Sequence, residues 1–531
     1  MMGGACSRKR DQQVNEDSGN RGIYGRYCKS GSSKWLGNSI SRLAVDNKQG
    51  KTKCPSLMEL CIYKIREDID KYSSFSMLPR DISQQIFNEL VYSQCLTEVS
   101  LGAFRDCALQ DLDLGEYPGL EDSWMDVISS QELSLLSVDL SGSDVTDSGL
   151  IHLKNCTNLQ AMNFNYSDQI SDHGLEHISG LSNLATLSFR RNNQITAQGL
   201  SVLSGLVNLL KLDLERCPGI HGGLVHLKGL TKLESLNIKC CNCITDADMK
   251  PLSGLTNLKE LQISSSKVSD YGVTFLKGLH KLSLLNMEGC PITAACLDCL
   301  AGLTNLETLN LDSCRIDDEG LVNLTGLQRL RCLELSDTEV GSNGLRHLAG
   351  LTSLVSINLS FTVVTDSGLK KLAGLASLTS LNLDARQITD AGLASLTSLT
   401  GLMHLDLFGA RITDSGTNYL KNFKNLRSLE ICGGGLTDAG VKNIKDLSSL
   451  TVLNLSQNNN LTDKTLELIS GLTQLVSLNV SNSRITTAGL QHLRSLKNLK
   501  SLNLDSCKVT AYDIEKLQST DLPNLVSFRP E

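Results

Sequence analysis

Two cysteine groupings have the spacing of redox or metal chemistry: Cys296-Leu-Asp-Cys299 and Cys240-Cys241-Asn-Cys243. A Cys-x-x-Cys pair does redox work when one thiol is held as thiolate beside a βαβ unit, and it holds zinc when further ligands follow at matching spacing. No such pair follows Cys299, and Cys296 stands where equivalent segments have Gly320 and Gly344. His226, His347, His404 and His492 lie in different segments, with no partner at ligand spacing. The chain contains no phosphate-binding glycine loop, no G-x-S-x-G elbow and no H-E-x-x-H pair. These patterns predict a protein that is not an enzyme and that needs no metal and no cofactor.

The remaining residues of interest suit binding. Arg190, Arg191, Lys211, Arg216 and Lys239 form a basic cluster over three consecutive segments. Phe361 and Phe408 interrupt a background of small polar residues, and Tyr166 does so nearer the start. Arginines and exposed aromatics are the residue types that anchor protein interfaces. Between them runs a series of short polar groups, including Asn163, Asp213, Asn237, Asn310, Asn358, Asp406, Glu430 and Asn503. That series reads as a hydrogen-bonded ladder that solubilises a sheet.

What positions these residues is a repeat. From Leu135/Val138/Leu140 to Leu499/Leu502/Leu504 the pattern L-x-x-L-x-L returns every 24 or 25 residues, sixteen times without a break. A fixed period of this length predicts a solenoid, and the leucine spacing predicts a short strand in each unit, one face buried and the other shown. In the unit Leu306–Leu330, Leu309 and Leu311 belong to the strand, Cys314 and Ile316 turn the chain inward, and Leu321 and Leu324 have helical spacing. Gly326 is expected to end that helix in the left-handed conformation. Many units open the helix with Thr-Asp, such as Thr146-Asp147 and Thr389-Asp390, where Thr suits the N-cap and Asp the positive end of the helix dipole. The corner before the Ile or Val is Cys217, Cys241, Cys290, Cys314 or Cys507, elsewhere Asn192, Asn458, Ser266 or Thr338, residues able to satisfy backbone groups from inside. No single unit can bury its leucines, so stacking must make the core. The predicted fold class is α/β: a horseshoe with a parallel concave sheet and convex helices, about 17 repeats over 109–531.

With 40% hydrophobic residues the chain can fill such a core, and its 18 Cys are read as repeat positions rather than a disulfide framework. The net charge of −7 is uneven: residues 1–55 carry eleven Lys and Arg against four Asp and Glu. The acidic remainder argues against nucleic-acid binding by the solenoid. Residues 1–55 are polar and without period, and read as a disordered basic segment. The start Met2-Gly3-Gly4-Ala5-Cys6-Ser7 matches a myristoylation pattern at Gly3 with an acylatable Cys6, followed by Arg8, Lys9 and Arg10. Two such signals would tether the chain to a membrane surface. No apolar signal or spanning segment is expected, so the cytoplasm is the predicted compartment, with the plasma membrane or nucleus as further addresses. Residues 56–108 read as a small helical cap.

Cys at the corner followed by I-T-D-x-G-L resembles the cysteine-containing leucine-rich repeats of plant-type F-box proteins, a ribonuclease-inhibitor-like fold. The stretch Leu78-Pro79-Arg80-Asp81-Ile82 through Ile86-Phe87 and Leu90 is similar to the opening of an F-box. That resemblance implies contacts to a Skp-type adaptor from Leu78, Pro79, Asp81, Ile82, Ile86, Phe87 and Leu90. Its continuation, Val99 to Cys107, lacks the Trp usual in the last F-box helix. Read from its apolar stripe alone, the same helix would hide the hydrophobic end of the first repeat. The resemblance implies a non-catalytic substrate-recognition subunit of a cullin-type ubiquitin ligase, holding its protein target on the concave face. The alternative is a membrane-tethered scaffold or signalling protein.

Overall fold

The computed structural model describes residues 54–384 and 386–529, and the side chains of 527–529 are not described. The acylation positions Gly3 and Cys6, with the rest of the basic segment up to residue 53, lie outside the described residues. Contacts divide the chain between Cys61 and Ile62. Helix α1 (Leu57–Glu67) begins in the first unit. Everything from Ile62 onward belongs to the second.

That second unit is a stack. Among the described residues, eighteen strands, β1 (Asp111–Asp113) to β18 (Ser527–Arg529), form one sheet in which each strand pairs with the next in parallel. The register follows the leucine spacing: Leu285, Leu309, Leu333 and Ile357 stand side by side. Leu309 and Leu311 are fully buried, as the alternation requires. The irregular first unit and the C-terminal segment each supply a paired strand, at a spacing of 26 residues rather than 24 or 25.

The convex side carries the expected helices, but they are short and many are 3₁₀. In the unit Leu306–Leu330 the turn Gly320–Leu324 is 3₁₀, and elsewhere single α-turns such as Asp366–Leu369 alternate with 3₁₀ segments. A 3₁₀ turn rises further per residue, so it spans the width of the unit with fewer residues. Gly326 is not left-handed. Most left-handed residues stand at the exits of the strands instead, and most of these are not glycine: Glu116, Tyr166, Arg191, Arg216, Ser313, Phe361, Gln457 and others have φ between 54° and 62°.

The Thr-Asp pairs do more than start helices. Thr389 Oγ1 accepts the Ala391 N–H as a cap, while Asp366 of the previous unit accepts the Thr389 N–H at 2.8 Å and its hydroxyl at 2.6 Å. The same bonds join Asp390 to Thr413, Asp414 to Thr437 and Asp463 to Thr486. The carboxylate occupies the space beside the following unit's helix glycine. A Cβ on Gly392, Gly416 or Gly440 would fall on Asp366, Asp390 or Asp414 respectively. Where Thr465 replaces that glycine, its hydroxyl donates to Asp438 Oδ1 at 2.7 Å. The D-x-G-L signature is thus a stitch between units.

Corner residues reach back in the same way. The thiols of Cys217, Cys241, Cys290 and Cys314 donate to carbonyls of Phe189, Leu214, Ile263 and Met287 at 3.1 to 3.3 Å. Asn458 does so to Ile431 at 2.8 Å.

At the N-terminal end, α2 (Arg80–Tyr92) buries Ile86, Phe87 and Leu90, and Phe87 meets Phe104 edge-on. Its Gln84 amide closes the open edge of the sheet, donating to the Asp111 carbonyl at 2.7 Å and accepting from the Gln110 N–H at 2.9 Å. An unpaired strand edge needs such a cover.

Candidate functional site

Each unit presents residues to the concave side from fixed positions. The first and third residues of the strand face outward between the buried ones. Two residues past the strand stands another outward position, and next to it the left-handed one. The positive φ is stabilised locally. The third strand residue, usually Asn, folds its side-chain oxygen onto the N–H two residues ahead, as in Asn310 to Asp312 (2.9 Å), Asn358 to Ser360 (3.1 Å) and Asn503 to Asp505 (2.9 Å). These are Asx-type turns, and they set the chain into αL just beyond. The polar ladder read from the sequence therefore shapes the loops as well as wetting the sheet.

The expected binding residues divide among these positions. Tyr166, Arg191, Arg216 and Phe361 are not on strands; they occupy the left-handed position after β3 (Ala161–Asn163), β4 (Thr186–Ser188), β5 (Lys211–Asp213) and β11 (Ser356–Asn358), with φ of 60°, 57°, 60° and 54°. Such a backbone costs a non-glycine residue of order 1 kcal/mol. Tyr166, Arg191 and Arg216 fall in register on three successive units. The Arg191 guanidinium lies over the Tyr166 ring, 5.4 Å from its centroid. Tyr166 remains 44% exposed and Phe361 66%. Lys211 is exposed on its strand, whereas Lys239 and Phe408, two residues past theirs, are half-buried.

The basic cluster is not all available. Arg190 Nη2 donates to Asp213 at 2.9 Å, and its Nε lies 3.2 Å from Glu215. Burial opposes the Arg190 charge, and the two carboxylates more than offset that, holding its pKa above the ordinary value. Arg216 stands 3.9 Å from Glu215 as well, but its side chain is 45% exposed and stays open to a partner. What remains in register is a narrow column, Tyr166, Arg191 and Arg216, with Lys211 exposed on β5.

The adaptor-box residues also divide. Pro79 is the N-cap of α2, and Leu78, Pro79 and Asp81 are exposed, with Ile82 half-buried. Ile86, Phe87 and Leu90 are consumed by the cap.

The sequence reading passed over Asp384 and Asp312, and took their acidic neighbours Asp406, Glu430 and Glu334 only as members of the polar ladder. Asp384, Asp406 and Glu430 lie in adjacent units of the concave face, and Asp312 and Glu334 form a second pair. Burial first, and then Glu430, pushes the Asp406 carboxyl up to about 7; burial and then Glu334 do the same to Asp312. Their one-letter neighbours are ordinary, and only alignment of the units by column brings them together.

The cysteines are thiols. All sixteen described ones are free, and burial pushes Cys217 and Cys314 up to about 12, far from reactive thiolates. Among the described residues no group of three or more His, Cys, Asp or Glu could hold a metal ion, and no helix is long and apolar enough to cross a membrane.

Residues 231–292 and 424–485 match one leucine-rich repeat family, and 133–153, 302–324 and 350–373 match a second. The fold is a leucine-rich-repeat solenoid. No curated protein sequence matches the chain. Among solved structures, a leucine-rich-repeat protein of Leptospira interrogans is 22% identical over 76% of this chain and 92% of its own, with a TM-score of 0.47. An internalin of Listeria monocytogenes is 24% identical over 75% of this chain and 88% of its own, with a TM-score of 0.36.

Proposed function

We propose that this solenoid is a non-catalytic receptor that holds a protein target on its concave face and presents it to a cullin-type ubiquitin ligase through a Skp-type adaptor. The observation that carries the first half is the Tyr166–Arg191–Arg216 column. Three interface-type side chains stand in register on left-handed loops, a conformation kept at a cost in backbone energy. The second half rests on the N-terminal segment. Leu78, Pro79 and Asp81 stay exposed at the start of α2 although the rest of its apolar stripe is used to close the stack. One helix thereby serves as lid on one side and as docking edge on the other. Target and adaptor would be held at separate places on one chain, and proximity is its contribution to the ligase.

The test is copurification of the full chain with an adaptor and cullin. Leu78→Asp/Pro79→Ala should lose the adaptor and keep the target, with an unchanged thermal transition. Arg191→Glu/Arg216→Glu should lose the target and keep the adaptor. A wild-type chain that binds its target but never an adaptor would remove the ligase half of the reading.

A further inference from the structure

Carboxylates drawn into the concave face are handled in two ways, and the contrast is informative. Around β5 the chain supplies its own cation. Arg190, two residues past β4, reaches Asp213, the third residue of β5, and neutralises it together with Glu215. The same positions recur around β12 (Ser380–Asn382), β13 (His404–Asp406) and β14 (Ser428–Glu430). There the residue two past β12 is Asp384, where Arg190 stands in the earlier unit, and the third residue of β13 is Asp406, where Asp213 stands. An acid has taken the place of the arginine.

Asp406 is left in an unusual state. Only 7% of it is exposed, its Oδ1 accepts the Phe408 N–H at 2.8 Å, and its Oδ2 has no hydrogen-bond partner. Glu430 in the next unit has one oxygen bound by the Asn454 amide at 3.0 Å. A buried acceptor with no partner costs free energy that a bound donor would recover.

We infer that Asp406, Glu430 and Asp384 form a subsite for the cationic side chain of an arginine or lysine on a bound protein. Three features suit it to that ligand. The trough is anionic, and a guanidinium can span two carboxylates as Arg190 does. Phe408 occupies the position that Glu215 holds beside Arg190, and gives an aromatic face against which a guanidinium can lie. The rim above is bare: the left-handed positions are Gly409 and Gly433, with φ of 73° and 72°, where Tyr166, Arg191 and Arg216 carry side chains in earlier units. The surrounding charges are Arg386, which acts on Asp384, and Arg427, which together with burial disfavours the charged form of His404. Burial first, and then the Glu430 charge, push the Asp406 carboxyl up to about 7, so binding of a cation near neutral pH favours release of that proton to solvent. This subsite rests on the concave-face reading and adds to it a preference for a basic side chain.

The probe is a labelled acetyl-Gly-Ser-Arg-Gly-Arg-Ser-Gly-amide and its citrulline counterpart, read by fluorescence anisotropy on the full chain at low salt. The arginine peptide should bind about tenfold tighter or more, the worth of one charged hydrogen bond, and should weaken as pH falls from about 8 to 6. Asp406→Asn/Glu430→Gln should abolish that preference. If this pair fails to fold, Asp384→Arg serves instead: it rebuilds the internal pairing of Arg190 and should exclude the peptide from a folded chain. Equal binding of the citrulline peptide, or arginine-peptide binding unaffected by Asp384→Arg, would overturn the subsite. Target loss on Arg191→Glu/Arg216→Glu is measured separately, so failure here leaves the rim reading standing or falling by its own result.

Discussion

Replacing Asp406 by Asn should stabilise the solenoid, and only above a defined pH. The carboxyl moves from 3.8 to about 7 on folding, through burial first and the Glu430 charge second. The folded chain therefore holds a proton that the unfolded chain has released over this window. Stability must fall as pH rises from about 4 to about 7, because the folded state binds the extra proton there. A shift of roughly three units at about 1.4 kcal/mol each gives up to about 4 kcal/mol lost by pH 8. Asparagine carries no charge at any of these pH values and retains an oxygen for the Phe408 N–H, while its NH₂ can donate to Glu430. Variant and wild type should then have equal denaturation midpoints near pH 4. They should diverge steadily, with the variant the more stable by up to about 4 kcal/mol at pH 8. The readout is urea denaturation over a pH series, with hydrogen exchange of the Leu405–Phe408 amides as the local check. A difference that does not change with pH, or a variant less stable at pH 8, would refute the assignment of a buried, proton-holding Asp406.

Two further outcomes follow from the stacking. Leu309→Asp places a charge at a fully buried strand position and should cost about 4 kcal/mol or more, read as a lowered thermal transition; an unchanged melt would contradict the register. Gly416→Ala puts a methyl onto the Asp390 carboxylate that bonds Thr413, and should destabilise by more than the same change at Gly374, where a Cβ meets nothing; equal melting of the two variants would remove the stitch.

The leucine period was sufficient to read the strands, their parallel order and the buried register, because stacking leaves each L-x-x-L-x-L only one way to bury its apolar face. The corner cysteines were legible for the same reason: five of them fall at one position of the unit. The convex turns were less so. Leu321 and Leu324 are three apart in either an α or a 3₁₀ turn, and only the width of the unit decides between them. Gly326 misled because a glycine beside a turn suggests αL, whereas the strain sits at Arg216 and Phe361, behind the Asx turns of Asp213 and Asn358, and at Arg191, where Asn165 of the previous unit accepts the Arg190 N–H instead. Pairing across units was hidden. Arg190 reads as a free base in sequence and is spent on Asp213 and Glu215, residues 23 and 25 positions away. The unpaired Asp406 is the converse, one polar residue among many until its neighbours in space are known.

The central claim is that partners are held on the concave face and its left-handed rim. The direct measurement is photocrosslinking with one reactive amino acid placed in the full chain at Arg216, Phe361 or Phe408, and in parallel at the exposed convex residues Tyr271 and Val322. Adducts to a common protein from the first three positions, and none from the last two, are the predicted result. Adducts from Tyr271 or Val322 with none from Arg216, Phe361 or Phe408 would contradict it.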